Sequence, residues 1–363
     1  MSDLIPGAGT PDRRFATLPL AEYAPIRSIR RPLTPIDRLA VPAIDVHNHL
    51  GRWLHDEGGW MAYDVGALID TMDRRAISAI VNLDGRWGSD LDDNIARLDA
   101  AHPDRFLTFC HLDWSRLQGA RPTETLIADL HRAVDQGARG LKVWKDLGLA
   151  VTDAGGGRVL PDDPRLTEVF IAAGELGLPI LIHTADPVAF FTPLDRHNER
   201  IDELQEMPSW WFGGPEHPTF DRLMDALSDV VRRAPGTTFI GAHVGCAAED
   251  LDWVSALMDE CPNFNADIGG RLGELGRQPR RFARLVARHP DRILFGTDSF
   301  PLDEDTVLTY ARFLETDDEC FDYAAGCEIP PQGRWDISGA ALPAAHLRAV
   351  YADNARRILD MPA

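Results

Sequence analysis

From Ala43 onward, short apolar runs alternate with longer stretches whose apolar residues recur every three or four positions. The runs are 43–49 (AIDVHNH), 77–83 (ISAIVNL), 106–112 (FLTFCHL), 139–144 (RGLKVW), 179–183 (PILIH), 237–243 (TTFIGAH), 263–268 (NFNADI) and 292–297 (RILFGT). Each is short and apolar enough to predict a buried parallel strand. The stretches between them, such as VGALIDTMDRRA, TETLIADLHRAVDQGA, DPRLTEVFIAAGELG and FDRLMDALSDVVRRA, predict amphipathic helices. Gly137 and Gly177 stand where two of these helices should stop. Eight strands alternating with helices predict a closed (β/α)8 barrel, the TIM-barrel architecture. An open doubly wound sheet could also use eight strands, so the positions of the polar residues must decide between the two.

Those residues fall at the C-terminal ends of the predicted strands. His47 and His49 end the first, His183 the fifth and His243 the sixth, and Asp298 follows the eighth. In a barrel all these ends open onto one face, which favours the closed form. Side chains two apart on a strand point the same way, so His47 and His49 can share one ion. Simple alternation sends Ile44 and Val46 toward the helices and Asp45, His47 and His49 inward. In the eighth strand it sends Ile293 and Phe295 toward the helices and Gly296 and Asp298 inward. Imidazoles with a carboxylate suit Zn2+, Mn2+ or Fe2+ with room left for water.

Residues 1–42 are rich in Pro and Arg and lack a sustained period, so they read as an arm around the domain and a contact in a homodimer. The barrel should span 43–315, with a C-terminal helical extension over 316–363. The formal net charge of −20 disfavours nucleic acid and anionic membrane surfaces as partners. No run is long and apolar enough to span a bilayer, and the first residues lack a signal-peptide layout. Five scattered cysteines without a C-x-x-C pair predict free thiols in the cytoplasm.

VHNH, LIHTAD, GAHVG and LFGTDSF, in this order, resemble the amidohydrolase superfamily. More narrowly they are similar to the amidohydrolase-related branch, which also holds aminocarboxymuconate-semialdehyde decarboxylase and the resorcylate decarboxylases. The resemblance covers about residues 40–315. It implies one catalytic divalent ion, zinc first and manganese second, on His47, His49, His183 and Asp298. It also implies that His243 is a nearby base or donor and that Asp298 moves protons as well as binding metal. The reaction so implied is hydrolysis of a small substrate through an activated water. Decarboxylation at the same metal is the alternative, and an inactive barrel that only binds a ligand is a second one.

Binuclear members bridge two ions with a carboxylated lysine on the fourth strand. Here parity turns Lys142 and Trp144 inward, while Leu141 and Val143 face helices. A buried lysine needs a partner, a substrate anion or modification. Lys142 is therefore expected as an ammonium for a substrate carboxylate, with an ion pair to Asp45 or Asp267 as the structural alternative. Arg271, in the glycine-rich DIGGRLG, is the first candidate for that carboxylate. Arg52, Arg86 and Trp144 lie with other tryptophans on the catalytic side and suit a flat anionic substrate. The long segment 184–216 is expected to be a lid or a binding loop.

Overall fold

The computed structural model describes residues 17–362, apart from 20, 21, 24, 27 and 325. Eight parallel strands pair in sequence order: β1 (Ala43–Asn48), β2 (Ile77–Asn82), β3 (Phe106–Cys110), β4 (Gly140–Val143), β5 (Ile180–Ile182), β6 (Phe239–Gly241), β7 (Phe264–Asp267) and β8 (Ile293–Leu294). The last and first strands meet through three bonds. Val46 N donates to Phe295 O at 3.0 Å, Asp298 N to His47 O at 2.7 Å, and His49 N to Ser299 O at 3.0 Å. The sheet is thus a closed (β/α)8 barrel, not an open sheet.

One main helix follows each strand: α1 (Val65–Arg75), α2 (Ser89–Arg97), α3 (Pro122–Gln136), α4 (Pro164–Glu175), α5 (Phe220–Arg233), α6 (Leu251–Glu260), α7 (Pro279–Arg288) and α8 (Glu304–Glu315). Asp64, Asp163, Thr219, Asp250 and Asp303 cap helix starts by accepting backbone N–H bonds. Gly137 (φ 108°) and Gly177 (φ 73°) make the left-handed turns that stop α3 and follow α4.

Two apolar layers separate cleanly. The layer between sheet and helices joins Leu141, Val143, Phe239, Phe264, Ile293 and Phe295 to helix residues such as Met72 and Leu130. The barrel interior holds Ile44, Val46, Val81, Leu107, Phe109, Leu181, Ile240 and Leu294, closed at the bottom by Ala355 and Leu359. Parity was therefore read correctly on β4 and β8 and wrongly on β1. Ile44 and Val46 point into the barrel, and Asp45 points out between β1 and β8. There its carboxylate accepts from the Thr297 hydroxyl at 2.6 Å and from Asn48 Nδ2 at 3.0 Å. The reason is a bulge: Asp45 pairs with Ile80 but Asn48 with Asn82, so β1 carries one extra residue. That extra residue puts both Val46 and His47 on the inner face.

After α8 the chain crosses the face formed by the C-terminal ends of the strands, with Phe321 bridged to Ile337, before α9 (Ala344–Arg348) and α10 (Asn354–Leu359) pack beneath the barrel. The described part of the N-terminal arm lies along this extension. Thr34 bonds the Asp318 carboxylate through its amide and hydroxyl, and Arg334 donates to the Tyr23 carbonyl. All five cysteines are unpaired, and among the described residues no helix is long and apolar enough to cross a membrane.

Candidate metal centre

Two imidazoles leave β1 with their outer nitrogens already committed. His47 Nδ1 donates to Asp267 Oδ2 at 3.0 Å, and His49 Nδ1 donates to Asp84 Oδ1 at 2.7 Å. A donor on Nδ1 leaves a lone pair on Nε2, the form a metal needs. Both Nε2 atoms are buried without a hydrogen-bond partner, and both stand 3.3 Å from Asp298 Oδ1. Burial opposes charge on His49, but Asp84 and Asp298 outweigh it and raise its pKa to about 9, so an incoming ion would displace a proton from Nε2. Burial also opposes charge on Asp298, yet His47, His49 and Lys142 hold its carboxyl well below the usual carboxylate range.

Asp298 reaches this position through a left-handed backbone (φ 62°), and His243 does the same (φ 57°) with Val244 (φ 61°) after it. Left-handed non-glycine residues cost energy and gather at functional sites. This turn also ends β6 at Gly241, earlier than alternation suggested. Gly270 (φ 64°) must be glycine for a second reason: a Cβ there would stand 2.9 Å from Asp298 Oδ2.

Nitrogen or oxygen atoms of His47, His243 and Asp298 lie within 4.8 Å of one another, close enough to surround an ion. His243 Nδ1, however, donates to the Gly269 carbonyl at 2.7 Å, so the lone pair that this ring could offer is on its Nε2. The His183 ring packs 4.4 Å from that of His243, and both its nitrogens are buried and unbonded. Its Nε2 approaches Asp186 at 3.4 Å without hydrogen-bond alignment. Burial lowers the His183 pKa to about 3, which keeps the ring neutral. Buried imidazole nitrogens without hydrogen-bond partners, as on His47 and His49 beside the Asp298 carboxylate, are what a divalent ion would satisfy, so these residues fit one; among the described residues His183 has no approach to Asp298 within ion-pair range.

Lys142 does point into the barrel. Its Nζ is buried with no hydrogen-bond partner and lies 4.9 Å from the Trp144 ring. Neither Asp45 nor Asp267 pairs with it: the first points outward, and the second is taken by His47 Nδ1 and the His243 and Gly269 amides. Trp144 stands edge-on to His49 and His183 at 5.4 and 5.6 Å. Arg271 is buried beside His243 and donates to the Gly270 carbonyl at 2.9 Å. Among the described residues it has no carboxylate in ion-pair range.

Arg52 and Arg86 are not in the cluster itself. They line a neighbouring cleft of about 360 Å³ behind Trp53. Arg52 pairs with Asp93 and covers Trp60, while the Arg86 guanidinium lies over Trp53 and Trp87. The 184–216 loop is tied down by Arg200, which is buried against Glu203 and Glu274, and by the Arg334–Asp202 pair. His111 Nε2 donates to the Leu83 carbonyl at 2.6 Å, and the Cys246 thiol is buried, its pKa pushed up to about 11.

Sequence reasoning missed Asp84, which follows β2 at a strand end like the histidines. It considered Asp267 only as a partner for Lys142. It also missed Gln332, whose amide crosses from the C-terminal extension to the Gly270 carbonyl at 2.9 Å.

A family model described as amidohydrolase matches residues 44–361. None of the curated proteins matches the chain. Among solved structures it is similar to 2,6-dihydroxybenzoate decarboxylase from Rhizobium (16% identity, 88% of this chain and 99% of that one, TM-score 0.52). A dihydroxybenzoic acid decarboxylase from Polaromonas sp. JS666, with bound manganese and 2-nitroresorcinol, matches at 14% identity over 88% and 97% with a TM-score of 0.54. An amidohydrolase from Burkholderia multivorans with bound zinc matches at 16% over 89% and 100% with a TM-score of 0.51. At such identities these likenesses carry the barrel fold.

Proposed function

The chain belongs to the amidohydrolase family, and from that premise we propose that it is a metal-dependent decarboxylase of a small, flat, carboxylate-bearing acid. One divalent ion, zinc or manganese, would be held by His47, His49, His183 and Asp298. The observation that carries the substrate class is a pair of buried cations, Lys142 and Arg271, beside that cluster and with no carboxylate in ion-pair range among the described residues. An anionic substrate is the partner they lack. The ion, when bound, supplies a Lewis acid that polarises a substrate oxygen.

The chain's own groups then divide the work. Lys142 and Arg271 hold the acid, Trp144 lies along its ring, and Arg86 and Arg52 guide it from the neighbouring cleft. Loss of CO2 breaks the carbon–carbon bond and leaves the electron pair on the substrate carbon, and Asp298 or His243 relays to that carbon a proton taken up from solvent. Two fold neighbours are named as decarboxylases of dihydroxybenzoates, which supports this reading.

Hydrolysis is the second reading, favoured by Asp298 Oδ1 lying 3.3 Å from both His47 Nε2 and His49 Nε2, where a carboxylate can take a proton from water. A substrate panel separates the two. Hydroxybenzoates labelled in the carboxylate should release labelled CO2 under decarboxylation, whereas esters, lactones and amides should release acid under hydrolysis. Natively purified protein with no transition metal, and no response to added Zn2+ or Mn2+, would remove both readings.

A further inference from the structure

Residues 49, 51 and 53 alternate along the β1–α1 loop, and all three aim a hydrogen at one carboxylate. Asp84 Oδ1 accepts from His49 Nδ1 at 2.7 Å and from Trp53 Nε1 at 2.8 Å, and Asp84 Oδ2 accepts from Gly51 N at 3.2 Å. Asp84 is fully buried and cannot turn away. Its amide bonds Asn82 Oδ1, and its carbonyl accepts from Asn94 Nδ2. Gly51 is pressed against it so closely that a Cβ would lie 2.5 Å from Asp84 Cβ.

Trp53, the far end of this cradle, is the partition between two spaces. Its ring stands 5.2 Å from Trp144 and 5.4 Å from His111 on the metal side. The Arg86 guanidinium lies 5.0 Å from the same ring, over the neighbouring cleft. The orientation of this wall therefore hangs on an oxygen that it shares with a metal-facing imidazole.

We infer that Asp84 is a positioning residue that couples the metal ligand His49 to the orientation of Trp53, so that filling the metal centre resets the wall of the adjoining cleft. The inference rests on the metal-centre reading above. An ion at His49 Nε2 takes the place of a proton there and so changes the strength of the Nδ1 bond to Asp84 Oδ1. What the shared oxygen offers the indole N–H changes with it. The His49 bond is fixed by β1, whereas Trp53 sits in a half-exposed turn, so the indole is the partner that shifts. Conversely, a ligand that moves Trp53 alters the electron-donating strength of His49.

The test uses 5-fluorotryptophan-labelled protein, stripped of metal and titrated with Zn2+ under 19F NMR, with Trp53 and Trp144 assigned through W53F and W144F. Zinc should move both resonances in the wild type. In D84N saturated with zinc, Trp144 should still move and Trp53 should not, and zinc affinity should fall about 10–100-fold. W53F keeps a ring but frees Oδ1 for His49 alone, so it should bind zinc several-fold more tightly. Loss of a merely structural contact would loosen binding instead. The inference falls if zinc leaves Trp53 unmoved in the wild type, if folded D84N binds zinc as the wild type does, or if W53F binds more weakly. W53F alone decides should D84N not fold. Wild-type protein that takes up neither zinc nor manganese overturns the metal-centre reading first, and this inference with it.

Discussion

Replacing Lys142 by methionine should make the metal-free protein more stable while making it worse at holding anions. The ammonium is buried with no hydrogen-bond partner. Burial pulls its pKa from 10.5 down to about 8, against the opposing pull of Asp267 and Asp298. A lysine whose folded pKa lies below its unfolded one weakens the fold wherever it is charged. The penalty is complete below pH 8 and fades as pH rises toward 10.5. A drop of that size corresponds to about 3 kcal/mol. Methionine has similar length and no charge to desolvate, but it gives up the attraction to the Trp144 face, about 1 kcal/mol. The net gain at pH 7 is about 2 kcal/mol. With an unfolding entropy of about 0.76 kcal/mol/K for a chain of this length, it should raise Tm by roughly 3 °C. Thermal melts of metal-free wild type and Lys142→Met at pH 7 and pH 10 check this, and the gap should close at the higher pH. Metal content should stay the same and KM for carboxylate substrates should rise at least about tenfold, the loss of one charge-assisted contact. A mutant no more stable than wild type at pH 7, or a gap that ignores pH, would refute the reasoning.

Two further predictions concern packing. Gly140 faces Phe109 across β3 and β4, and a Cβ there would stand 2.3 Å from the ring. Gly140→Ala should therefore cost about 1–3 kcal/mol, with most of the loss recovered in a Phe109→Leu background, as denaturant unfolding of the double-mutant cycle would show. Arg200→Met should cost about 3–5 kcal/mol because it strands the buried Glu274 carboxylate, and adding Glu274→Met should restore most of the stability in the same assay.

The barrel was legible because buried parallel strands and amphipathic helices have different periods, and because strand ends that carry histidine and aspartate must share one face. Lys142 and Trp144 were placed correctly because β4 pairs with β5 in unbroken register from Leu141 to Val143. Ile44, Asp45 and Val46 were misplaced because a bulge re-phases β1, and strict alternation cannot show an inserted residue. The left-handed backbones at His243 and Asp298 left no composition signal, since neither is glycine. Asp84 sat in plain view, in the NLDG that closes β2. What concealed it is that its partners, His49, Gly51 and Trp53, precede it by 31–35 residues and meet it only once β1 and β2 pair. Arg52 and Arg86 do lie past strand C-terminal ends, but sequence cannot show that Trp53 stands between them and the histidines.

The bonds that join β8 to β1 also set the order in which the site can come into being during synthesis. His49 and Asp298 are the two sides of that seam, and they leave the ribosome 249 residues apart, as do Asn48 and Thr297 just beneath them. At about 5–20 residues per second, the paired imidazoles wait roughly 12–50 s for their carboxylate. Until then they are two imidazoles on an unfinished sheet, a weak trap for any passing ion. The proposed chelate is complete only when the last strand docks, so cofactor loading is a step taken by the finished chain. A break anywhere between the two halves of the seam leaves the histidine pair on one fragment and the carboxylate on the other.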